Sequence, residues 1–310
     1  MGEFLLKTKL VDEVVEVDKT SKKSVADSQD RLIKQEFRYV ICPHESLRTQ
    51  LLCIKLKAEF KFGFHKWWNG LIFNKTIKRN MNLPDALRQL NLITLMDKDY
   101  SEEYQIFVSQ YVATKQEVVQ SQKVLHLKNK ISKQQSLVFN KINESSRVKK
   151  IALAPGSVWA TKRWSMEKYK ELTLNLIKSG YEVYLFGSPN EKELCDQIAS
   201  KVPEAKNYAG ELSLFESYEK LAEVDLLISN DSGAMHLAAC SDTYIISIFG
   251  PTVKEFGYEP WVTKSTIISA DISCRPCGSH GAKKCPLGTH ECMELIEVAD
   301  VTKALERYNS

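Results

Sequence analysis

Leu226-Leu-Ile-Ser-Asn-Asp-Ser-Gly-Ala-Met-His-Leu-Ala-Ala-Cys-Ser-Asp-Thr-Tyr-Ile-Ile-Ser-Ile-Phe-Gly-Pro-Thr252 is the stretch that decides the fold. An apolar strand over 226–228 runs into Asn230-Asp231-Ser232-Gly233, a helix follows, and a second apolar strand over 244–249 ends in Gly250-Pro251-Thr252. A strand, a small polar turn and a helix start together make an anion site, because the first helical N–H groups have no intrahelical partner. Gly233 lets a bulky group approach the backbone. His236 falls three residues later, one turn into the helix. A plain strand-to-helix turn with Asp231 or Ser232 as N-cap uses the same residues.

A second segment points the same way. Lys149-Lys-Ile-Ala-Leu-Ala-Pro-Gly-Ser157 reads as a short strand entering a Pro-Gly turn, and Lys162-Arg-Trp164 follows. Tyr169, Leu172, Leu176 and Ile177 then recur at helical spacing. The next strand, 183–186, stops at Gly187 and precedes another helix. Strands alternating with helices predict a doubly wound parallel sheet, whose ligands bind beyond the carboxyl ends of the strands. Small turns, one lysine and one histidine on that rim suit a diphosphate. Lys162 supplies a point charge there, or else it is one more solvated surface lysine.

These motifs carry a resemblance. Ala154-Pro-Gly-Ser157 with Lys162-Arg-Trp164, Phe186-Gly187 with Glu191, Asn230-Asp-Ser-Gly233 with His236-Leu-Ala-Ala239, and Phe249-Gly-Pro-Thr252 resemble the lipopolysaccharide heptosyltransferase family. The Cys274-Arg-Pro-Cys277 to Cys292-Met293 run is similar to the heptosyltransferase II branch, and the likeness spans about 148 to 295. It is weaker in the first half, at Cys42-Pro-His-Glu-Ser-Leu-Arg48 and Phe62-Gly-Phe64. The resemblance implies a GT-B fold of the α/β class: two Rossmann-like doubly wound domains facing across a cleft. Residues 1–148 would form the acceptor-side domain and 149–310 the donor domain. It further implies inverting transfer of heptose from ADP-heptose to the acidic lipopolysaccharide inner core. In that scheme Ser157 and Lys162 contact phosphate, and Lys162 also stabilises the leaving group. Glu191 accepts from the ribose hydroxyls, and Leu212 lines the adenine side. Asp231, Ser232, Gly233 and His236 hold the diphosphate and position the sugar. No cofactor and no metal are expected.

Length and composition agree with two domains. A chain of 310 residues suits two cores of roughly 150 each. No stretch approaches the roughly 20 apolar residues of a membrane span, and the start shows no signal-peptide core, which predicts a cytoplasmic protein. Charge is uneven: residues 1–150 hold 27 Lys+Arg against 17 Asp+Glu, and residues 151–310 hold 16 against 22. The cations are densest from Lys55 to Arg79, among Phe60, Phe62, Phe64, Trp67 and Trp68. They suit an acidic glycolipid at the inner face of the membrane, where the protein would sit peripherally. A solvated face over an apolar core uses the same residues. No nucleic-acid motif accompanies them.

Along the first half, 11–17 alternates apolar and charged residues and reads as a half-buried strand. Residues 24–34 read as a helix, 39–42 as a strand, 47–56 as a helix capped by Ser46, and 85–95 as a helix after Pro84. Residues 112–148 read as the interdomain approach. The family's opening strand and its Leu-Gly-Asp turn, which bears the aspartate proposed as general base, are not found in this sequence. The first domain is therefore expected to lack its first strand, and no residue is nominated as base. On that ground the alternative is a sugar-nucleotide-binding remnant without turnover. An oxidoreductase reading fails for want of a Gly-x-Gly-x-x-Gly run.

Eight cysteines divide into two sets. Cys42, Cys53, Cys195 and Cys240 sit in apolar or helical settings, where a buried thiol is the default. Cys274, Cys277, Cys285 and Cys292 are spaced C-x2-C-x7-C-x6-C, which is no standard finger or ribbon. Zinc, labile thiols and plain structural cysteines all remain open for them.

Overall fold

The computed structural model describes residues 2–18, 20–113, 150–241, 243–260 and 265–309. Two compact units divide the chain, Met1–Ile131 and Ser132–Ser310. The expected interdomain approach lies outside the described residues from 114 onward.

Among its described residues, the first unit is built on a three-stranded parallel sheet of β1 (Glu36–Cys42), β2 (Lys57–Phe64) and β3 (Lys75–Ile77), in that order. Helices α1 (Gly2–Lys7) and α2 (Lys22–Ile33) precede it. Helix α3 (Leu47–Lys55) makes the β1–β2 crossover and opens on Ser46, whose hydroxyl accepts from the Thr49 N–H at 3.3 Å. That satisfies one orphan donor of the first turn. Phe62 and Phe64 point into the core, and Gly63 backs onto the buried Phe73 ring. Helices α4 (Asp85–Leu90) and α5 (Lys98–Ala113) follow.

Two expectations are corrected in this unit. Residues 11–17 form no strand. A ladder needs a free edge to pair with, and this segment docks by side chains instead. Glu13 takes an ion pair from Arg31, and Val14 and Glu16 press against Gly2. The helix expected over 85–95 stops at Leu90 and resumes as a 3-10 turn, Ile93–Leu95. Leu92 N–H bonds to the Gln89 carbonyl, three residues back, and the Thr94 hydroxyl takes the Asn91 carbonyl at 2.7 Å. A hydroxyl competing for a helix carbonyl ends the ladder there.

The second unit is a six-stranded, all-parallel sheet. Its strands are β4 (Lys150–Ala154), β5 (Glu182–Leu185), β6 (Lys206–Asn207), β7 (Leu226–Asn230), β8 (Tyr244–Ile248) and β9 (Ser265–Ile268), in the order β6-β5-β4-β7-β8-β9. The chain winds outward from β4 in one direction, returns, and winds outward from β7 in the other. Alternation along each strand feeds two cores. Ile151, Leu153, Leu226 and Ile228 pack under α6 (Met166–Lys178), α7 (Lys192–Ala199) and α11 (Val298–Asn309). Ala152, Ala154 and Leu227 face Leu221 of α8 (Leu214–Ala222) and Met235 of α9 (Gly233–Ala239). Burial on both faces explains why these strands read as continuous apolar runs. A short α10 (Glu291–Glu294) precedes α11.

Gly63→Ala tests the first unit's packing. The new methyl would lie 2.7 Å from Phe73 Cε2 and Cζ, so the urea midpoint should fall by the equivalent of about 1–3 kcal/mol. Adding Phe73→Leu should recover part of that loss.

Candidate functional site

The carboxyl ends of β4 and β7 lie side by side, with Ala154 paired to Ser229. This is where the winding direction reverses, so the turns leaving β4 and β7 diverge and leave a crevice between them. Asn230, the last residue of β7, fastens the two turns together. Its Nδ2 donates to the Pro155 carbonyl at 2.7 Å and the Gly156 carbonyl at 3.2 Å. Its Oδ1 accepts from the Trp164 N–H at 3.1 Å and the Tyr169 hydroxyl at 3.4 Å. Trp164 is itself fixed, with its indole N–H on the Ile296 carbonyl at 2.8 Å and its ring edge-on to Tyr169.

Between those anchors the β4 turn carries Lys162 inward. Only 7% of this residue is exposed, so the reading of a solvated lysine is wrong. Its Nζ lies 2.5 Å from Asp231 Oδ2, and the Thr252 hydroxyl donates to the same oxygen at 2.6 Å. A buried charge needs such a partner, since an unpaired one costs several kcal/mol. Gly281 seals the stem of Lys162: a Cβ there would meet Lys162 Cγ at 3.2 Å. Thr161 holds that flap by exchanging hydrogen bonds with Ala282.

Glu191 reaches the same crevice from beyond β5. One carboxylate oxygen accepts from the Ser188 N–H and hydroxyl at 2.8 and 2.9 Å, closing a capping box. The other lies over Gly156, where any Cβ would fall 2.1 Å from Glu191 Oε1. Ser157 is buried in the adjoining turn, and its carbonyl takes the Arg163 Nε–H at 2.7 Å. Leu212 packs, half-buried, on the core that holds Ala154 and Met235. Ser232 is the N-cap residue of α9 but makes no cap bond with its side chain. Gly233 opens this helix, and His236 is exposed on it.

The structure thus brings Ser157, Lys162, Glu191, Asp231, Ser232 and Gly233 to one rim, with His236 on the helix that rises from it. Sequence reasoning missed the roles of Asn230, Thr252 and Gly156. Both Asn230 and Thr252 stood in the decisive stretch, and a polar side chain closing an apolar strand was the available signal. Arg275 was also missed: it donates to the carbonyls of Gly250 and Ala270, and to that of Thr252 at 2.8 Å, pinning the turn after β8.

The cysteine expectations resolve unevenly. Cys42, Cys53 and Cys195 are buried, but Cys240, the C-cap of α9, is exposed. Cys274, Cys277 and Cys285 are half-buried, Cys292 is buried, and all are free thiols. Burial pushes the Cys292 thiol up to about 11, aided by the neighbouring Cys277. Among the described residues, no three His, Cys, Asp or Glu side chains converge to hold a metal ion.

The sequence profile of glycosyltransferase family 9 (heptosyltransferase) matches residues 26–287. The chain belongs to glycosyltransferase family 9. Among curated relatives, lipooligosaccharide heptosyltransferase 2 of Campylobacter jejuni is 31% identical over 206 residues, covering 64% of this chain and 61% of that protein. Lipopolysaccharide heptosyltransferase 2 of Escherichia coli is 30% identical over 183 residues, covering 54% of this chain and 51% of that protein. The matched part thus spans half to three-fifths of these family 9 relatives. Solved structures show the fold. The Escherichia coli ADP-heptose lipopolysaccharide heptosyltransferase II superposes with TM-score 0.63 at 21% identity, over 91% of this chain and 80% of that one. A family 9 glycosyltransferase of Veillonella parvula superposes with TM-score 0.73 at 18% identity, over 99% and 85%. The fold is GT-B, with Rossmann-like parallel sheets.

Lys162→Ala would strand the Asp231 carboxylate with Thr252 as its hydrogen-bond donor. The urea midpoint should drop by the equivalent of about 3–5 kcal/mol. Lys162→Met with Asp231→Asn, which removes both charges, should recover most of that stability.

Proposed function

We propose that this family 9 chain transfers heptose from ADP-heptose to a hydroxyl of the lipopolysaccharide inner core, with inversion at the anomeric carbon. The observation that carries this reading is the rim at the β4–β7 switch point. It offers a buried ammonium, a carboxylate over a glycine, and a helix start without a side-chain cap, within one crevice.

Each group has a chemical task. Glu191 accepts hydrogen bonds from the two ribose hydroxyls, and Gly156, which carries no Cβ, lets its carboxylate lie over the β4 turn. Leu212 offers an apolar surface to the adenine. Ser157, Ser232 and the Gly233 N–H meet the diphosphate. His236 and Asp231 position the sugar. In the reaction the acceptor oxygen forms its bond to the anomeric carbon on the face opposite the diphosphate. The bond from that carbon to the phosphate oxygen breaks, and its electron pair leaves with ADP. Lys162 and the α9 N–H groups stabilise the growing negative charge. The proton of the acceptor hydroxyl goes to a base that we leave unassigned.

Residues 1–148 are proposed as the acceptor-side domain and 149–310 as the donor domain. The acceptor is an acidic lipid-borne saccharide, which places the enzyme peripherally on the inner membrane face, in the cytoplasm. Among the described residues no helix is long and apolar enough to cross a membrane.

Calorimetry with ADP, paired with a transfer assay, tests this. ADP should bind, and Glu191→Gln and Gly156→Ala should each weaken it by about tenfold or more, the loss of one charge-assisted contact. No ADP binding by a folded chain would sink the donor site. Binding without transfer would leave a sugar-nucleotide-binding protein and remove the enzyme.

A further inference from the structure

Asp231 takes Lys162 and Thr252 on the same carboxylate oxygen. The direction of that carboxylate, and with it the aim of the ammonium, depends on where the Thr252 hydroxyl is held. Thr252 lies past the end of β8, where the strand pairing has stopped. The ladder to β9 ends at Ile248 with Ile268, and the Phe249 N–H bonds to the Ile268 carbonyl at 2.9 Å. Gly250, Pro251 and Thr252 follow, all buried, with three carbonyls that need donors.

The segment between β9 and α10 supplies those donors. Arg275 commits each of its three guanidinium nitrogens to a different carbonyl: Nε to Gly250, Nη1 to Ala270, and Nη2 to Thr252 at 2.8 Å. The Cys277 N–H takes the Pro251 carbonyl between them at 2.9 Å. Met293 backs the turn, since a Cβ on Gly250 would lie 2.9 Å from its Sδ. The same segment also reaches the β4 turn. Ala282 is bonded to Thr161, His290 Nε2 lies 2.7 Å from the Thr161 carbonyl, and Gly281 covers the Lys162 stem. One stretch of chain therefore places both groups that meet the Asp231 oxygen.

We propose that Arg275 is a positioning residue for the transfer reaction: it sets Thr252, which orients the Asp231 carboxylate and so aims Lys162. The inference rests on the reading above, in which Lys162 meets the diphosphate. A guanidinium is a rigid planar fork, and it holds three acceptors at fixed angles to one another. A lysine at this position keeps the charge but brings one nitrogen on a flexible stem, so it cannot register three carbonyls. Arg275 touches no reacting atom in this role. Its effect is geometric, and a displacement of about 1 Å at a charge-stabilising group is enough to slow a reaction up to roughly a hundredfold.

Calorimetry of the full chain with ADP and, separately, with adenosine tests the proposal. Adenosine carries the groups assigned to Glu191 and Leu212 but no phosphate. Arg275→Lys and Thr252→Val should each weaken ADP by about fivefold or more and leave adenosine unchanged. Thr252→Ser, which keeps the hydroxyl, should bind ADP as the wild type does. The two losses share one path, so the Arg275→Lys, Thr252→Val double variant should stay within about twofold of the weaker single variant. Turnover by Arg275→Lys should fall by about tenfold or more. Unchanged ADP affinity in Arg275→Lys overturns the proposal. Equal losses of ADP and adenosine do the same, because they mark general loosening of the fold. Effects that multiply in the double variant remove the path through Thr252. A wild-type chain that binds neither ligand removes the donor site instead. The coupling is then read from urea midpoints of the same four proteins, where additive losses overturn it and non-additive losses support it.

Discussion

The Asn230 side chain is the constraint from which the second unit's site follows. It sits fully buried at the end of β7, where a polar side chain is tolerated only if every group is matched. The amide matches both its donors and its acceptor, and all its partners lie on the segment leaving β4 or on α6. That fixes where the β4 turn goes. The turn's position in turn decides that Lys162 points inward rather than into solvent. Asp231 follows directly, with its N–H on the Ile248 carbonyl at 3.1 Å, so its carboxylate faces the incoming ammonium and Thr252. Three strand ends are thereby registered to one another by side chains, beyond what the ladder supplies.

Much of this half was legible because two-sided burial writes a strong signal. Ile151 to Ala154, Val183 to Leu185, Leu226 to Ile228 and Tyr244 to Ile248 are apolar runs with small polar stops, and each is a strand within a residue or two of its expected bounds. The site residues were legible for the same reason: the stops are where strands end, and strand ends are where a parallel sheet gathers its chemistry. Partnership was not legible. Nothing in the spacing says that Lys162 meets Asp231, 69 positions on, or that Gly156 is small because Glu191 lies over it. Those facts belong to the crossing of two turns, and a one-dimensional pattern does not hold them.

The first half is harder to read for a physical reason. Among the described residues its sheet is narrow, three strands with the third only Lys75–Ile77, so fewer positions are buried on both sides. Partial burial weakens periodicity. Residues 11–17 show how alternation misleads: Val14 contacts Gly2 and Glu13 pairs with Arg31, so apolar and charged residues alternate without any ladder. Exposed tips mislead in the opposite sense. Trp67 and Trp68 adjoin, yet Trp68 is half-buried and Trp67 is not. The difference comes from Asn69, whose side-chain bonds settle which way the turn opens.

The Lys162–Asp231 pair bears on how the proposed donor site handles charge. A bare lysine would bring its full positive charge to the diphosphate, whereas a lysine on a carboxylate brings a nearly neutral pair. Lysine has three N–H donors and Asp231 occupies one. The carboxylate therefore fixes the ammonium's position and leaves donors to aim at a phosphate oxygen. Asp231 offsets the desolvation of that ammonium, so its geometry is set before the leaving group gathers charge. The remaining positive field comes from the α9 N–H groups, which the Ser232 side chain does not cap. A site arranged this way trades ground-state attraction for a fixed geometry, and fixed geometry is what stabilises charge that appears only as a bond breaks.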